Sequence, residues 1–264
     1  MGEEGSAPVA RRPWTGPAEA FALLSIARVP AAASARGVLP WAPLVGLVLG
    51  TPATVAGWLG GRYASPLVGA VLAVAVLAVL TRGLHLDGLA DTADGLGPLR
   101  GRDRALQVMR AGDVGPFGVA TLVLTLLLQV ACLAQLLTVD GGWVALPVAA
   151  VAARVAMART GLPGTPIAAG SSLGAAVAGT VSRSWLVGTV VLVLALAAAL
   201  TAAAGRGGTE VVELVAALAL GWLAAEGLLR RARMRLGGVN GDVMGAVGEV
   251  TVAVVLLTAA VLLS

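Results

Sequence analysis

The chain has 264 residues, 58% of them hydrophobic and only 12% charged, with a mean hydropathy of +0.92. Soluble domains carry about 25% charged residues, so a water-soluble globular protein is excluded and an integral membrane protein is indicated. All eighteen basic residues are arginine, against fourteen acidic ones, for a formal net charge of +4; they gather at the ends of apolar runs, which reflects membrane topology and gives no reason to expect nucleic acid as a partner.

The first forty residues are rich in Pro, Ala and Arg, and their apolar stretch at 21–27 is too short to span a bilayer. No signal peptide is expected, and residues 1–20 read as a tail. Spans of about 20 apolar residues are predicted at 41–60, 65–84, 114–137, 144–158, 185–204, 211–229 and 246–263. Between them lie a polar segment at 85–113, a short break at 140–143, a Gly/Pro/Ser-rich loop at 159–184 and an Arg- and Gly-rich loop at 230–245. The prediction is an all-α transmembrane bundle of about seven spans in one membrane domain covering 1–264, with no repeat. Abundant Gly and Ala permit close helix approach. The fourth span is the weakest because Arg154 lies inside it. Cys132, the single cysteine, falls in an apolar run and reads as a small buried hydrophobe.

Arginine placement fixes the expected orientation. With the N-terminus inside, only Arg62 and Arg206 fall on the outer face and Arg154 within a span. The others, from Arg11 and Arg12 to Arg235, lie on the inner side. The polar segment and the 159–184 and 230–245 loops then share the cytoplasmic face.

Residues 85–95 read His-Leu-Asp-Gly-Leu-Ala-Asp-Thr-Ala-Asp-Gly. Asp87, Asp91 and Asp94 are spaced by four and three, which stacks them on one face of a helix. A helix cap needs one aspartate; three like charges on one stripe call for a cation. Oxygen-only ligands suit Mg²⁺ or Mn²⁺, and such an ion at a membrane surface usually handles phosphate. His85 is either a hydrogen-bonded structural group or a participant in proton transfer. Arg100, Arg102, Arg104 and Arg110 follow; most read as solvated, with Arg102 and Arg104 able to approach a phosphate held by the metal. Asp113, in Asp-Val-Gly-Pro-Phe-Gly, is either part of a loop entering the third span or a further ligand.

Residues 237–249 hold a turn signal, Gly-Gly-Val-Asn-Gly-Asp, followed by Glu249. Asp242 and Glu249 are seven apart and so share a helix face. A carboxylate inside a span costs about 2.5 kcal/mol or more at the centre and needs a partner. Completion of the aspartate metal site is the expectation for both, and Arg154 is expected to neutralise Glu249 or to bind a substrate phosphate.

These blocks resemble the cobalamin synthase family, the adenosylcobinamide-GDP ribazoletransferases. Residues 84–95 match its signature. Arg28-Val29-Pro30, Pro43-Leu44-Val45-Gly46, Met109-Arg110 with Gly115 to Val119, and Gly237-Gly238 with Gly241-Asp242, Gly245-Ala246 and Glu249 follow its other blocks in order. Asn240 and Gly112 stand where Thr and Ser are usual, Val252 replaces a second Glu, and 169–174 lacks an expected arginine. The resemblance implies that α-ribazole or its 5′-phosphate is joined to adenosylcobinamide-GDP with release of GMP, a phosphodiester being formed with Mg²⁺ as cofactor. It implies catalytic roles for Asp87, Asp91, Asp94 and His85, and a metal shell from the three aspartates with Asp242 and Glu249. Substrate contacts would come from Arg102, Arg104, Arg110, Asp113, Asn240 and Arg154. It further implies a multi-pass protein of the cytoplasmic (inner) membrane with its site facing the cytoplasm. Candidate partners beyond the substrates and membrane lipid are a second copy of the chain and other cobalamin-assembly enzymes. Two alternatives remain: a prenyl or CDP-alcohol type transferase of diphosphate-activated substrates, and a divalent-cation transporter. A transporter would place its acids near the bilayer midplane, whereas 87–94 lie beyond the end of a span.

Overall fold

The computed structural model describes residues 15–29 and 34–263. Arg11, Arg12 and Pro30 therefore lie outside the described residues. Eleven α-helices follow one another among those described: α1 Thr15–Leu24, α2 Val38–Tyr63, α3 Pro66–Leu80, α4 Leu84–Leu96, α5 Arg102–Met109, α6 Pro116–Leu136, α7 Ala145–Ala158, α8 Ser172–Val177, α9 Arg183–Ala203, α10 Gly208–Leu236 and α11 Gly241–Leu262. The described residues hold no strand, only an isolated parallel bridge between Ile167 and Val239.

Six helical segments are long and apolar enough to cross a membrane: α2, α6, α7 with its flanking 3₁₀ turns, α9, α10 and α11. A seventh crossing is counted when α3 is taken together with α4, from which it is bent by 89°. The chain is a multi-pass membrane protein, as its composition requires. Apolar side chains with no protein partner, such as Val119, Val123, Leu124 and Leu127 of α6 and Val187, Val191 and Leu192 of α9, stay exposed on the outside of the bundle, where lipid replaces water.

Side chains cap several of these helices. Ser65 accepts from Val68 N at 3.2 Å, with Pro66 in the first turn; Ser182 accepts from Trp185 N at 3.1 Å; Asn240 accepts from Val243 N at 2.9 Å. The second span was predicted to reach residue 84 but ends at Leu80. Arg82 (φ 56°) and Gly83 (φ 67°) are both left-handed, which breaks the helix and redirects the chain. The left-handed conformer costs a non-glycine residue roughly 1–2 kcal/mol. It is offset by anchoring: Arg82 donates to Leu23 O at 2.8 Å, and Ile26 N donates to Leu80 O at 2.8 Å.

The centre of the bundle is α7. All fourteen of its residues are buried, Arg154 among them. Its Ala and Val side chains are short enough for α2 and α11 to pack closely on either side. The segment that reads weakest as a membrane span is thus the core helix. The last span starts at Gly241, five residues earlier than expected, which puts Asp242 in the first turn of α11. The sixth continues past 229 to Leu236, so Arg230 to Arg235 are helical. Glu226 ties this end together, with Arg159, Arg230 and Arg233 nitrogens at 3.4, 3.5 and 3.8 Å.

Residues 15–20 belong to α1 rather than to a tail. Glu19 of α1 is buried and accepts hydrogen bonds from Gly37 N and from Ser34 Oγ, which fixes α1 against the start of α2. With seven crossings, the connections at 81–115, 159–182 and 237–240 all emerge at one end of the bundle.

Candidate active site

At that end α4 runs across the first turns of α6 and α11. The α4–α11 crossing is close because both helices present glycine. A Cβ on Gly88 would sit 2.7 Å from Asp242 O, and one on Gly245 would sit 3.2 Å from His85 Cα. This contact sets Asp242 beside Asp87 and Asp91. Asp242 Oδ2 also accepts from Asn240 Nδ2 at 2.8 Å, so Asn240 both caps α11 and orients the carboxylate.

The three aspartates of α4 occupy graded environments. Asp87 is exposed, Asp91 half-buried and Asp94 buried. Burial, followed by the charges of Asp87, Asp242 and Asp94, pushes the Asp91 carboxyl up to about 7. Asp94 turns the other way. Its Oδ2 accepts from Gly115 N at 2.7 Å, and Gly115 and Gly118 leave no room for a Cβ against its oxygens. It caps α6 from another helix, with its charge at the positive end of the helix dipole. The predicted stripe exists, and one oxygen of its last member is engaged by the start of α6.

The donor chemistry fits a hard divalent ion: Asp87, Asp91 and Asp242 offer only oxygen, and their crowding disfavours full ionisation without a cation. Among the described residues, however, no three acidic, His or Cys groups converge closely enough as they stand to chelate one ion. Closing a shell around an ion therefore takes side-chain rotation.

Glu249 does not join this group, contrary to the sequence expectation. It lies seven residues further along α11, about 10 Å at 1.5 Å per residue, whereas Mg²⁺ holds its ligands at about 2.0–2.1 Å. Gln129 Nε2 of α6 donates to Glu249 Oε2 at 3.0 Å. Glu249, Gln129 and the buried Arg154 share the wall of an internal cavity of about 30 Å³, room for one or two waters. Arg154, 5% exposed, shares this interior wall with Glu249, but no ion pair within 4 Å joins the two among the described residues. Gln129 escapes a sequence reading because its partner is 120 residues away.

His85 is 1% exposed, and neither ring nitrogen has a hydrogen-bond partner. Burial, then the Arg154 charge, lowers its pKa well below the usual histidine value and keeps it neutral. It lies behind the wall of a second cavity, of about 300 Å³, which Arg110, Asn240 and Asp242 also line. The 166–174 loop closes this cavity and is joined to the 237–240 turn by Ala168 N to Val239 O at 3.0 Å and Val239 N to Pro166 O at 2.9 Å. Arg110 donates to Ala169 O at its mouth. The polar segment and the two loops expected to share one face thus line one cavity.

The remaining candidates lie apart. Arg102 packs against Gly237, Arg104 donates to Gln107 Oε1 at 2.7 Å on the exposed side of α5, and Asp113 is exposed in the loop before α6. Arg231 and Arg235 bond the carbonyls of Leu96, Pro98 and Arg100 and hold the α4–α5 connection.

The family model described as cobalamin-5-phosphate synthase matches residues 17–260. A protein of Frankia casuarinae named adenosylcobinamide-GDP ribazoletransferase is 40% identical over 231 residues, covering 83% of each chain. One of Bradyrhizobium diazoefficiens with the same name is 36% identical over 241 residues, 88% of this chain and 86% of the relative. A third, of Pseudomonas savastanoi, is 40% identical over 222 residues, 83% and 86% of the two chains. No solved structure matches. A match over nearly the whole chain, with the Asp-rich α4 and the Gly-Asp start of α11 meeting at one rim, establishes that the chain belongs to the cobalamin-5-phosphate synthase family.

Proposed function

We propose that this membrane enzyme joins α-ribazole, or its 5′-phosphate, to adenosylcobinamide-GDP and releases GMP. The observation that carries the reading is the meeting of Asp87, Asp91 and Asp242 where α4 crosses α11, beside a cavity closed by the two loops of the same face, in a chain whose relatives bear the corresponding name.

The ribazole hydroxyl oxygen attacks the phosphorus on the corrinoid side of the diphosphate. The bond from that phosphorus to the bridging oxygen breaks, GMP departs with the bridging oxygen, and a phosphodiester remains. The hydroxyl proton passes to a rim carboxylate or to His85; Asp242 lines the cavity and His85 lies behind its wall. Asp87, Asp91 and Asp242 would hold Mg²⁺, which when bound supplies charge neutralisation at the diphosphate. Asn240 keeps Asp242 turned to the rim, and Arg110 keeps the cavity mouth shaped. The acids lie at the end of the bundle that arginine placement assigns to the cytoplasm, which favours a cytoplasmic-membrane enzyme over a transporter.

The test is Asp91→Ala in protein reconstituted in vesicles. GMP release should disappear while membrane insertion and thermal stability persist; near-normal turnover would contradict the role of the acidic rim. Release of CMP or pyrophosphate from other activated substrates, or cation flux without nucleotide release, would select one of the alternative activities.

A further inference from the structure

A second concentration of charge lies at the rim end of the bundle, away from the aspartates. Arg159, Arg230 and Arg233 share one carboxylate, that of Glu226, with nitrogens at 3.4, 3.5 and 3.8 Å. Three cations against one anion leave an excess of two positive charges. Charge-assisted hydrogen bonds run at about 2.7–2.9 Å, so none of these contacts is a closed one. Among the described residues no other acid lies within 4 Å of the three guanidinium groups, and all three side chains keep exposed surface.

Arg159 and Glu226 also close one end of a groove of about 220 Å³ between α7, α9 and α10. Away from them its walls are apolar, with Val155 of α7, Leu186 and Val190 of α9, and Trp222 and Leu229 of α10. Trp222 Nε1 donates to Ala152 O at 3.1 Å, so the indole offers the groove no free donor. All three helices are long and apolar enough to cross the membrane. On α9 the groove runs beside Val187 and Val191, which are exposed on the outside of the bundle, so it belongs to the lateral wall that meets lipid.

An apolar trough capped at one end by unsaturated cations selects an amphiphile with a negative head. Phosphate suits the guanidinium fork, which binds it through two parallel hydrogen bonds, and basic pockets between membrane helices take up anionic lipid headgroups. A soluble nucleotide would leave the trough empty. A zwitterionic lipid would set its own cation against the surplus.

We propose that this groove binds an anionic phospholipid of the leaflet at the rim end, with its phosphate on Arg159, Arg230 and Arg233 and one acyl chain along Val155, Val190 and Trp222. The lipid completes the neutralisation that Glu226 begins. The site is independent of the reaction proposed above.

The experiment is native mass spectrometry of the full-length protein, stripped of lipid in neutral detergent and titrated with phosphatidylglycerol or with phosphatidylcholine of the same chains, with a melting curve for each. Wild type should bind one phosphatidylglycerol about tenfold or more tighter than phosphatidylcholine and melt higher with it. Arg230→Gln combined with Arg233→Gln should bring the two lipids within about twofold of each other and abolish the melting shift. Val190→Trp fills the groove without touching a charge and should weaken both lipids. Glu226→Gln should tighten phosphatidylglycerol by about fivefold, whereas a purely structural ion cluster predicts no gain. Equal affinity for the two lipids in wild type, or a preference that survives the double arginine variant, overturns the assignment. Displacement of the lipid by excess inorganic phosphate also overturns it and would give the cations to a soluble phosphate compound. Should the double arginine variant fail to fold, the other two decide: phosphatidylglycerol affinity unchanged in both Val190→Trp and Glu226→Gln overturns the site.

Discussion

Gly88→Ala is the sharpest probe of how the rim is assembled. The added Cβ would lie 2.7 Å from the Asp242 carbonyl oxygen, against 3.4 Å for ordinary contact, so α4 and α11 must part by about 0.7 Å. Overpacking costs about 1–3 kcal/mol, and replacing Gly inside a helix returns about 0.5–1 kcal/mol, so the net loss of stability is at most about 2.5 kcal/mol. The displacement falls on the pair of helices that carry Asp87, Asp91 and Asp242. A misplacement approaching 1 Å costs about 10²-fold in rate, so turnover of the folded protein should drop about ten- to a hundredfold while the variant still melts cooperatively, a few degrees lower at most per kcal/mol lost. GMP release and a melting curve on the same preparation measure both. Gly227→Ala, where an added Cβ meets nothing within 4 Å, is the control and should match wild type. Wild-type turnover by Gly88→Ala would refute the claim that the α4–α11 crossing sets the site.

Asp91 gives a pH signature. Its carboxyl is raised to about 7 from 3.8, so between about pH 4 and 7 the folded protein binds the proton more tightly than the unfolded chain does. Metal-free stability should therefore be greatest below that window and decline as pH rises through it. Asp91→Asn should flatten the decline in a series of melts, and Mg²⁺ should stabilise more at pH 8 than at pH 6. Asp94 separates capping from chemistry: Asp94→Asn keeps an oxygen for Gly115 N and should retain the fold, whereas Asp94→Leu should lose about 1 kcal/mol or more of stability, read by denaturant titration. Arg154→Met removes the one cation on the cavity wall that Glu249 shares and should destabilise the fold; the double variant Arg154→Met/Glu249→Gln should recover part of the loss, and strict additivity in the cycle would show that the two do not interact. Chelation with EDTA should abolish GMP release, with Mg²⁺ restoring it; turnover that survives thorough chelation would remove the metal from the mechanism.

Apolar run length located the spans because a bilayer imposes it locally, and arginine bias combined with span parity brought the three polar connections to one end. The aspartate stripe was legible for the same reason: helical spacing is a short-range property. What escaped depends on distant partners. Asp94 is claimed by Gly115 and Glu249 by Gln129, and nothing within a helical turn of either acid signals this. Arg154 lowers the apparent quality of α7 as a span, yet a charged side chain within a span is tolerated where it faces the bundle interior, which is where α7 lies. The corner at 81–83 was hidden because Arg82, not a glycine, takes a left-handed conformation, held there by Leu23 O of a helix that the sequence did not suggest.

The short α3 has a consequence for the surrounding lipid. Fifteen residues reach about 22 Å, some 8 Å less than a typical hydrocarbon layer of about 30 Å. The bilayer adapts to a short hydrophobic segment by thinning, and the dip falls beside the corner from which α4 departs. Thinning at that corner would bring headgroups and bulk solvent closer to the aspartates of α4, so that a charged ligand could approach them without entering the hydrocarbon layer.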